Sequence, residues 1–174
     1  QDENTSLNLL GNPYPSPIDW NKLIYSNSAN LSKTMYRMGS GNRYNGNYAG
    51  WIALNSSEGL GINGATKYIG VQEGFFVKAF LSDSLYFRNT DRVDVLDVRA
   101  VQVSSQVSYL RLSLEQSGKS DETLIYYNDN VDNDHALDGQ DAIKMEAAGV
   151  NFWYSLKDSV KLGIQGRHTA YAAD

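Results

Sequence analysis

The stretch "VDVLDVRAVQVSSQVSYLRLSLEQ", residues 93–116, decides the fold class of this 174-residue chain. Apolar and polar residues alternate through Val93–Val103, and the alternation resumes at Val107 and runs to Leu114. Successive side chains of an extended strand point to opposite faces of a sheet, so a period of two indicates a strand with one buried face. The stretch therefore predicts two strands, separated by the polar residues 104–106.

Runs of the same β-rich kind cover most of the remaining chain. Residues 35–66 predict two or three short strands between Gly-Asn turns, and further strands are expected from "YIGVQ" at residues 68–72, through "SLYFR" at 84–88, to "VKLGIQ" at 160–165. No long helical periodicity competes with this pattern. We therefore predict a mainly β fold, an antiparallel β-sandwich of the jelly-roll kind.

The N-terminal stretch "LGNPYPSPIDW", residues 10–20, contains all three prolines of the chain. Ser16 is a suitable N-cap and Pro17 suits the first helical position, which predicts one short helix over residues 16–25. The prolines then form a rigid corner between an apolar strand, "LNLL", and this helix. Trp20 belongs to this helix and Trp153 stands in the apolar run "FWYSL", and we expect both in the core.

Length and composition limit the number of domains and the classes of partner. A chain of 174 residues suits a single domain spanning residues 1–174. The net charge of −5, without a basic run, argues against a nucleic-acid partner. No apolar stretch has the length of a membrane span, so we expect no membrane insertion. The absence of cysteine excludes disulfides and Cys-ligated zinc.

Five separated motifs occur in an order that resembles a known family. They are "LLGNPYPSPIDW" at Leu9–Trp20, "VQEGFFVKAF" at Val71–Phe80, Phe87 with Asn89 and Arg92, "YLRLSLEQSGKSDET" at Tyr109–Thr123, and Asp141 and Ala142 with Lys144. The set resembles large secreted Bacteroidetes cell-surface proteins that the type IX secretion system exports. Glu73 departs from the family pattern, which has Gln beside the glycine of the Phe-Phe motif.

The resemblance implies a compartment and an architecture more than an activity. It implies an extracellular or cell-surface location, with other modules of the same protein or other cell-surface proteins as partners. The immunoglobulin-like module and sorting domain that commonly follow in the family do not occur in this sequence. We therefore expect the chain to be one module, a fragment of a larger multidomain surface protein.

The densest acidic stretch, residues 128–142, is a candidate calcium site. It contains five aspartates: Asp129, Asp132, Asp134, Asp138 and Asp141. Clustered carboxylates suit a hard cation such as Ca²⁺, the only cofactor that the sequence brings into question. The EF-hand pattern fails when started at Asp132, so the alternatives are an irregular calcium site and a solvated Asp/Asn-rich turn. No other metal is expected.

The Tyr-rich stretch "NRYNGNYAGW", residues 42–51, is a candidate glycan platform. Aromatic faces stack on sugar rings, so Tyr44, Tyr48 and Trp51 could bind a polysaccharide. The alternative is that these rings cover the sheet as half-buried strand residues.

Two short patterns resemble the O-glycosylation motif of Bacteroidetes surface proteins, in which Asp precedes Ser or Thr and an apolar residue follows. They are "DSL" at residues 83–85 and "DSV" at residues 158–160. The resemblance implies modification of Ser84 and Ser159.

The sequence favours a protein that is not an enzyme. It has no Gly-x-Ser-x-Gly elbow, and its glutamates are scattered. The leading hypothesis is a non-catalytic structural or adhesive module of a surface protein, which could self-assemble into filaments by strand addition at an exposed sheet edge. The second is a carbohydrate-binding module, and the third is a hydrolase domain.

Overall fold

The fold is mainly β, with 47% strand and 9% helix among the described residues. The computed structural model describes residues 7–27, 29–39, 43–44, 46–94, 107–131, 139–145 and 160–171, together with the backbone of residues 154–155. Several antiparallel sheets and one small helix are present, as predicted, and the sheets do not close. No helix in these ranges is both long and apolar enough to cross a membrane.

The described elements follow one another along the chain with short connections in the first half. The strands are β1 (Leu7–Gly11), β2 (Ile18–Asp19), β3 (Leu31–Met38), β4 (Tyr48–Ala53), β5 (Gly59–Ile62), β6 (Tyr68–Ile69), β7 (Gly74–Ala79), β8 (Tyr109–Gln116), β9 (Lys119–Tyr127), β10 (Ala142–Ile143), β11 (Tyr154–Ser155) and β12 (Lys161–Arg167). Helix α1 covers Trp20–Tyr25, and 3-10 turns lie at Asn89–Asp91 and Thr169–Tyr171.

The first sheet is antiparallel and has the strand order β1-β7-β3-β4-β5. Its central strand β3 pairs Met35 with Val77 of β7 on one side and with Trp51 of β4 on the other. Helix α1 packs on this sheet, and the Trp20 and Phe75 rings meet edge to face with centroids 5.8 Å apart. Trp20 is fully buried, which confirms its predicted place in the core.

The second sheet has the strand order β10-β12-β9-β8, and β11 also pairs with β12. Strands β8 and β9 form a hairpin whose turn places Ser117 and Gly118 at φ of 52° and 75°, as a right-twisted hairpin requires. Strand β12 pairs with β9 in parallel, with Ile164 opposite Leu124. The all-antiparallel prediction is wrong for this ladder, because the long connection between β9 and β12 returns the chain in the direction of β9.

The two sheets contribute to one buried cluster. Residues of the first sheet, among them Tyr36 and Ile62, lie in this cluster with Leu124, Tyr126 and Ile164 of the second. A separate cluster under α1 involves the first sheet and the short β2–β6 pair. The shared cluster includes Leu124 and Tyr126 of β9, the strand that carries the polar residues described below.

The proline corner forms, but the helix begins later than predicted. Ile18 and Asp19 form β2, and Asp19 is the N-cap of α1, accepting a hydrogen bond from Asn21 N at 2.9 Å. Ser16 is not the cap; its hydroxyl accepts from Arg92 Nε at 2.7 Å. The Asn12 side chain holds the corner by donating to the carbonyl oxygens of Ser16 and Gly70, each at 2.9 Å.

Several predicted strands are shorter than expected or absent. Residues 84–88 form no strand, and the run at residues 68–72 ends after Ile69, because a turn follows in which Gln72 adopts a φ of 55°. The predicted strand Val93–Val103 lies, from residue 95 onward, outside the described residues, as does Trp153.

Candidate functional site

The start of β9 carries two adjacent carboxylates in the protein interior. Asp121 is 0% exposed and Glu122 is 4% exposed, although both lie in a run of polar residues, "KSDET". Buried carboxylates are rare unless paired with cations or hydrogen-bond donors. We call Asp121, Glu122 and the side chains bonded to them the carboxylate cluster.

Glu122 is surrounded by donors from three separate segments. Its Oε1 accepts from the Tyr44 hydroxyl at 2.5 Å, and its Oε2 accepts from Arg111 Nη1 at 2.7 Å and from the Asn63 backbone N–H at 2.8 Å. Burial raises the pKa of Tyr44, and its hydrogen bond to Glu122 acts in the same direction. This carboxylate therefore links β8, the turn after β5 and the segment that contains Tyr44.

Asn63 joins the turn after β5 to both carboxylates. Its backbone has a φ of 56°, in the left-handed region that asparagine tolerates. The side-chain Nδ2 donates to Asp121 Oδ1 and to the Tyr48 carbonyl oxygen, both at 2.8 Å, while Oδ1 accepts from the Glu122 N–H at 2.8 Å. Every polar atom of this side chain thus bridges the first sheet and β9.

Lys144 is the cationic partner of Asp121. Its Nζ donates to Asp121 Oδ1 and, at 3.3 Å, to the Glu122 carbonyl oxygen. The side chains of Lys144 and Asp121 are 4% and 0% exposed. Removal from water lowers the pKa of Lys144, while the hydrogen bond and charge of Asp121 oppose that shift. The pair is a fully enclosed acid–amine contact.

The neighbouring strand β8 is exposed along its whole length and lies at the end of the sheet order. Leu110, Leu112 and Leu114 alternate along it and are 47%, 39% and 40% exposed. The period-two pattern correctly predicts a strand here, but the expectation of a buried apolar face is wrong. We call these three leucines the β8 apolar strip.

A polar cavity of about 250 Å³ lies between β4 and the start of the acidic loop. Its lining includes Lys33, Leu54, Asn128, Asn130 and Gln140. Tyr25 lies beside it, since its hydroxyl donates to the Leu54 carbonyl oxygen at 2.6 Å and Lys33 Nζ lies 5.4 Å from its ring centroid. Lys33 takes part in none of the ion pairs found among the described residues.

The three predicted glycan-platform residues do not present a common face to solvent. Trp51 is 4% exposed and its Nε1 donates to Asn21 Oδ1 at 2.8 Å, while Tyr44 is 7% exposed. Tyr48 is half-buried, and its ring centroid lies 6.1 Å from that of Phe76. The platform prediction is wrong for Trp51 and Tyr44, because both rings are buried and their polar atoms are bonded to Asn21 and Glu122.

The predicted calcium ligands are only partly described. Asp129 is exposed and accepts from the Thr169 hydroxyl, whereas Asp141 is buried and its Oδ1 accepts from the Gly166 N–H at 2.9 Å. Asp132, Asp134 and Asp138 lie outside the described residues. Within the described ranges no group of three or more His, Asp or Glu side chains could hold a metal ion. Calcium binding stays a prediction.

Of the two predicted O-glycosylation positions, the structure describes one. Ser84 lies in an exposed loop, where its N–H donates to Asp83 Oδ1 at 2.7 Å and Asp83 Oδ2 accepts from Asn30 at 2.9 Å. Ser159 lies outside the described part of the chain. Modification of both serines stays a prediction.

Sequence reasoning missed the residues that complete the carboxylate cluster. Asn63 is the first residue of an Asn-Gly pair. Such a pair indicates a turn with a left-handed backbone, but it does not predict buried hydrogen bonds to another strand. Lys144 was noted only as part of a family motif. The available signal was the position of Asp121 and Glu122 directly before the apolar residues 124–127 of a predicted strand, because carboxylates that enter a core need a buried partner.

Comparison with known proteins gives a family without an activity. The whole chain, residues 1–174, matches the model described as "Domain of unknown function (DUF8693)", so the chain belongs to that family. No curated protein and no solved structure matches it.

Proposed function

We propose that this member of the family is a non-catalytic structural module of a secreted bacterial cell-surface protein, folded as a β-sandwich, and that it associates with a second copy of itself through β8. Two sheets that share one buried cluster support the sandwich. The ordered motifs between Leu9 and Lys144 that resemble secreted surface proteins support the location.

The observation that carries the association is the β8 apolar strip on an edge strand. An edge strand presents unpaired N–H and C=O groups, and natural proteins usually blunt such edges with charge, proline or bulges. Here Leu110, Leu112 and Leu114 alternate along the edge and each is more than a third exposed. No described strand pairs with the outer edge of β8, and apolar surface on such an edge favours pairing with another strand.

The sequence of β8 is complementary to itself in one antiparallel register. When two copies pair about a two-fold axis at Ser113, Arg111 of one copy lies opposite Glu115 of the other, and Leu112 lies opposite Leu114. Opposite charges and apolar pairs at facing positions stabilise antiparallel ladders. A two-fold axis makes both halves of such an interface identical, so one strand supplies both sides.

The bonding of the two buried carboxylates supports a role without catalysis. Asp121 accepts from the Asn63 amide and the Lys144 ammonium group, and Glu122 accepts from the Tyr44 hydroxyl and the Arg111 guanidinium group. A general acid or base needs a substrate proton within hydrogen-bond reach, and neither carboxylate lines the polar cavity. No described feature favours the hydrolase hypothesis.

Sedimentation velocity of the purified chain over a concentration series tests the association. The wild-type chain is expected to be dimeric, and Leu112→Lys is expected to be monomeric, because it buries a charge in the shared apolar strip. Leu81→Lys is the matched control, since Leu81 is 64% exposed in a loop away from β8, and it should stay dimeric. A wild-type chain that stays monomeric at the highest soluble concentration would overturn the association.

Protease treatment of intact cells that produce the natural full-length protein tests the location. The proposal expects the module to be degraded in intact cells while a cytosolic marker survives. Protection of the module in intact cells, with degradation only after lysis, would contradict a surface location.

A second candidate function, glycan binding, is favoured by the polar cavity. Amide and ammonium groups bind sugar hydroxyls, and Tyr25 supplies an adjacent ring that is 40% exposed. Retention on insoluble polysaccharides and binding to a glycan array test it. Lys33→Met should abolish binding, and Lys119→Met, at the exposed first position of β9, should not. Absence of wild-type binding to every glycan would dismiss this candidate.

A further inference from the structure

The acid–amine pair Asp121 and Lys144 joins two strands that are not neighbours. Strand β12 lies between β10 and β9, so Lys144, which follows β10, reaches Asp121 of β9 across β12. The crossing point is Gly163. A Cβ at Gly163 would lie 3.6 Å from Lys144 Cδ and 2.6 Å from Ile62 Cδ1. The missing side chain at Gly163 therefore leaves space that Ile62 occupies, and Lys144 passes the same point at ordinary van der Waals distance.

The surroundings of the pair exclude water. The two side chains are 4% and 0% exposed, and Ile62 packs at the same crossing. Removal from water lowers the pKa of Lys144. Where water is excluded, an ammonium–carboxylate pair is costly to keep charged, and transfer of one proton gives a neutral amine beside a neutral carboxylic acid.

We propose that Lys144 and Asp121 become joined by an amide bond between Nζ and Cγ in the folded chain, a cross-link that no enzyme or cofactor assists. Lys144 Nζ attacks Asp121 Cγ. The Oδ2 hydroxyl takes one hydrogen from the amine and leaves as water, and the second amine hydrogen stays on the new amide nitrogen. Atoms and electrons balance without an oxidant, a reductant or a further reactant.

Asn63 is the group that assists this step. Its Nδ2 donates to Asp121 Oδ1 at 2.8 Å, so Oδ1 is the oxygen on which negative charge develops as the amine attacks. A fixed donor aimed at a developing oxyanion lowers the barrier to acyl transfer. The fold holds the amine against the carboxyl group, which replaces a bimolecular encounter by an intramolecular one. Asn63 is thus a positioning and stabilising residue, and Lys144 and Asp121 are the reactants.

The cross-link has a mechanical result for the second sheet. It closes the chain between residues 121 and 144 into a ring and ties β9 to the end of β10 over the top of β12. A covalent tie of this kind restricts the unfolded chain in the same way as a disulfide, in a chain without cysteine. The cross-link is independent of the proposed association through β8, because it forms within a single chain.

The intact mass of the purified wild-type chain, measured under denaturing conditions, tests the cross-link. The expected mass is lower than the sequence mass by one water molecule for the whole population. Asp121→Ala and Lys144→Arg should each restore the full sequence mass. Lys67→Arg is the matched control, since the Lys67 Nζ–Asp19 Oδ2 pair at 2.9 Å is also largely enclosed, and it should keep the deficit.

Peptide mapping separates the cross-link from other losses. A succinimide at Asp138-Gly139 would also lose one water, and cyclisation of Gln1 would lose ammonia. Only the cross-link prevents tryptic cleavage after Lys144 and yields a branched peptide that contains Asp121. A wild-type mass equal to the sequence mass, or a mass deficit without the branched peptide, would overturn the proposal. Both measurements use the wild-type chain, so neither depends on whether a variant folds.

Discussion

Asn63 and Glu122 exchange two hydrogen bonds between the first sheet and β9: the Asn63 N–H donates to Glu122 Oε2, and the Glu122 N–H donates to Asn63 Oδ1, both at 2.8 Å. The pairing resembles one rung of a β-ladder in which a side chain replaces each backbone acceptor. It places the turn after β5 in register with β9, although more than fifty residues separate the two in sequence.

Replacement of Asn63 is expected to destabilise the chain strongly. Asn63→Ala removes all side-chain bonds to Asp121, Tyr48 and Glu122 and leaves buried groups without partners, which costs about 2–4 kcal/mol in the free energy of unfolding. Asn63→Gly is the matched variant. It removes the same bonds but adopts a φ of 56° without strain, so it should be less destabilised than Asn63→Ala by up to about 1 kcal/mol. Urea unfolding measures both. Equal stabilities would show that the backbone at this position is unstrained.

A methyl group at Gly61 is expected to disrupt the sheet core. A Cβ at Gly61 would lie 2.4 Å from the Ala65 carbonyl oxygen and 2.8 Å from Trp51 Cε3. Gly61→Ala therefore forces the backbone or the indole to move, at a cost of about 1–3 kcal/mol. Gly74→Ala is the control, because its nearest neighbour would be 3.6 Å away. Thermal unfolding should show a lower midpoint for Gly61→Ala alone, and a similar midpoint for both would contradict the packing described at Trp51.

The stability of the chain is expected to fall at alkaline pH. Burial raises the pKa of both Tyr36 and Tyr44 above the ordinary value for tyrosine. Because their pKa is raised in the folded state, the two tyrosines contribute fully to the free energy of unfolding below about pH 10, where unfolded tyrosine is still neutral. That contribution is lost progressively as the pH rises further. Urea unfolding from about pH 8 to about pH 11 measures the loss.

Substitution of single tyrosines identifies the residue that causes the loss of stability at alkaline pH. Tyr36→Phe removes the buried hydroxyl and should flatten the alkaline decline, whereas Tyr109→Phe, on exposed β8, should leave it unchanged. An equally steep decline in wild type and Tyr36→Phe would show that Tyr36 makes no contribution.

A charge reversal on β8 is expected to weaken the proposed dimer. In the register centred on Ser113, Glu115→Arg places two like charges opposite each other at both ends of the ladder. Such pairs destabilise by about 0.2–1 kcal/mol each, so the dissociation constant should rise several-fold. The effect should shrink in high salt, because exposed charges are screened. An unchanged dissociation constant would exclude this register while leaving association by another register open to the same assay.

The fold was predictable where local pattern determines structure. Alternation located β8, and the proline corner at residues 12–17 followed from the restrictions that Pro17 and its neighbours impose. The start of α1 was missed because Asp19 and Ser16 are both good caps, and only the pairing of Ile18 with Ile69 of β6 selects between them. Local propensity does not register a strand partner that lies fifty residues away.

The candidate site was not predictable for a related reason. The glycan-platform hypothesis required Tyr44 and Trp51 at the surface of a Gly/Asn-rich stretch, yet Glu122 and Asn21 supply buried partners for their polar atoms. The exposure of Leu112 and the burial of Asp121 reverse what hydropathy predicts at both positions. Which carboxylate meets which cation depends on the three-dimensional arrangement of segments that are distant in sequence, and no spacing in one sequence encodes that.

The position of β12 has a consequence for the order of folding. This strand is formed by residues 161–167, yet it lies between β9 and β10, so the second sheet lacks an inner strand until residues 161–167 have been synthesised. Pairing between strands distant in sequence slows folding. The β8–β9 hairpin, which is local in sequence, can form early, but the edge of β9 that pairs with β12 then has no partner. A truncation before residue 161 should therefore leave a chain that aggregates, whereas the first sheet, complete by Ala79, should still fold.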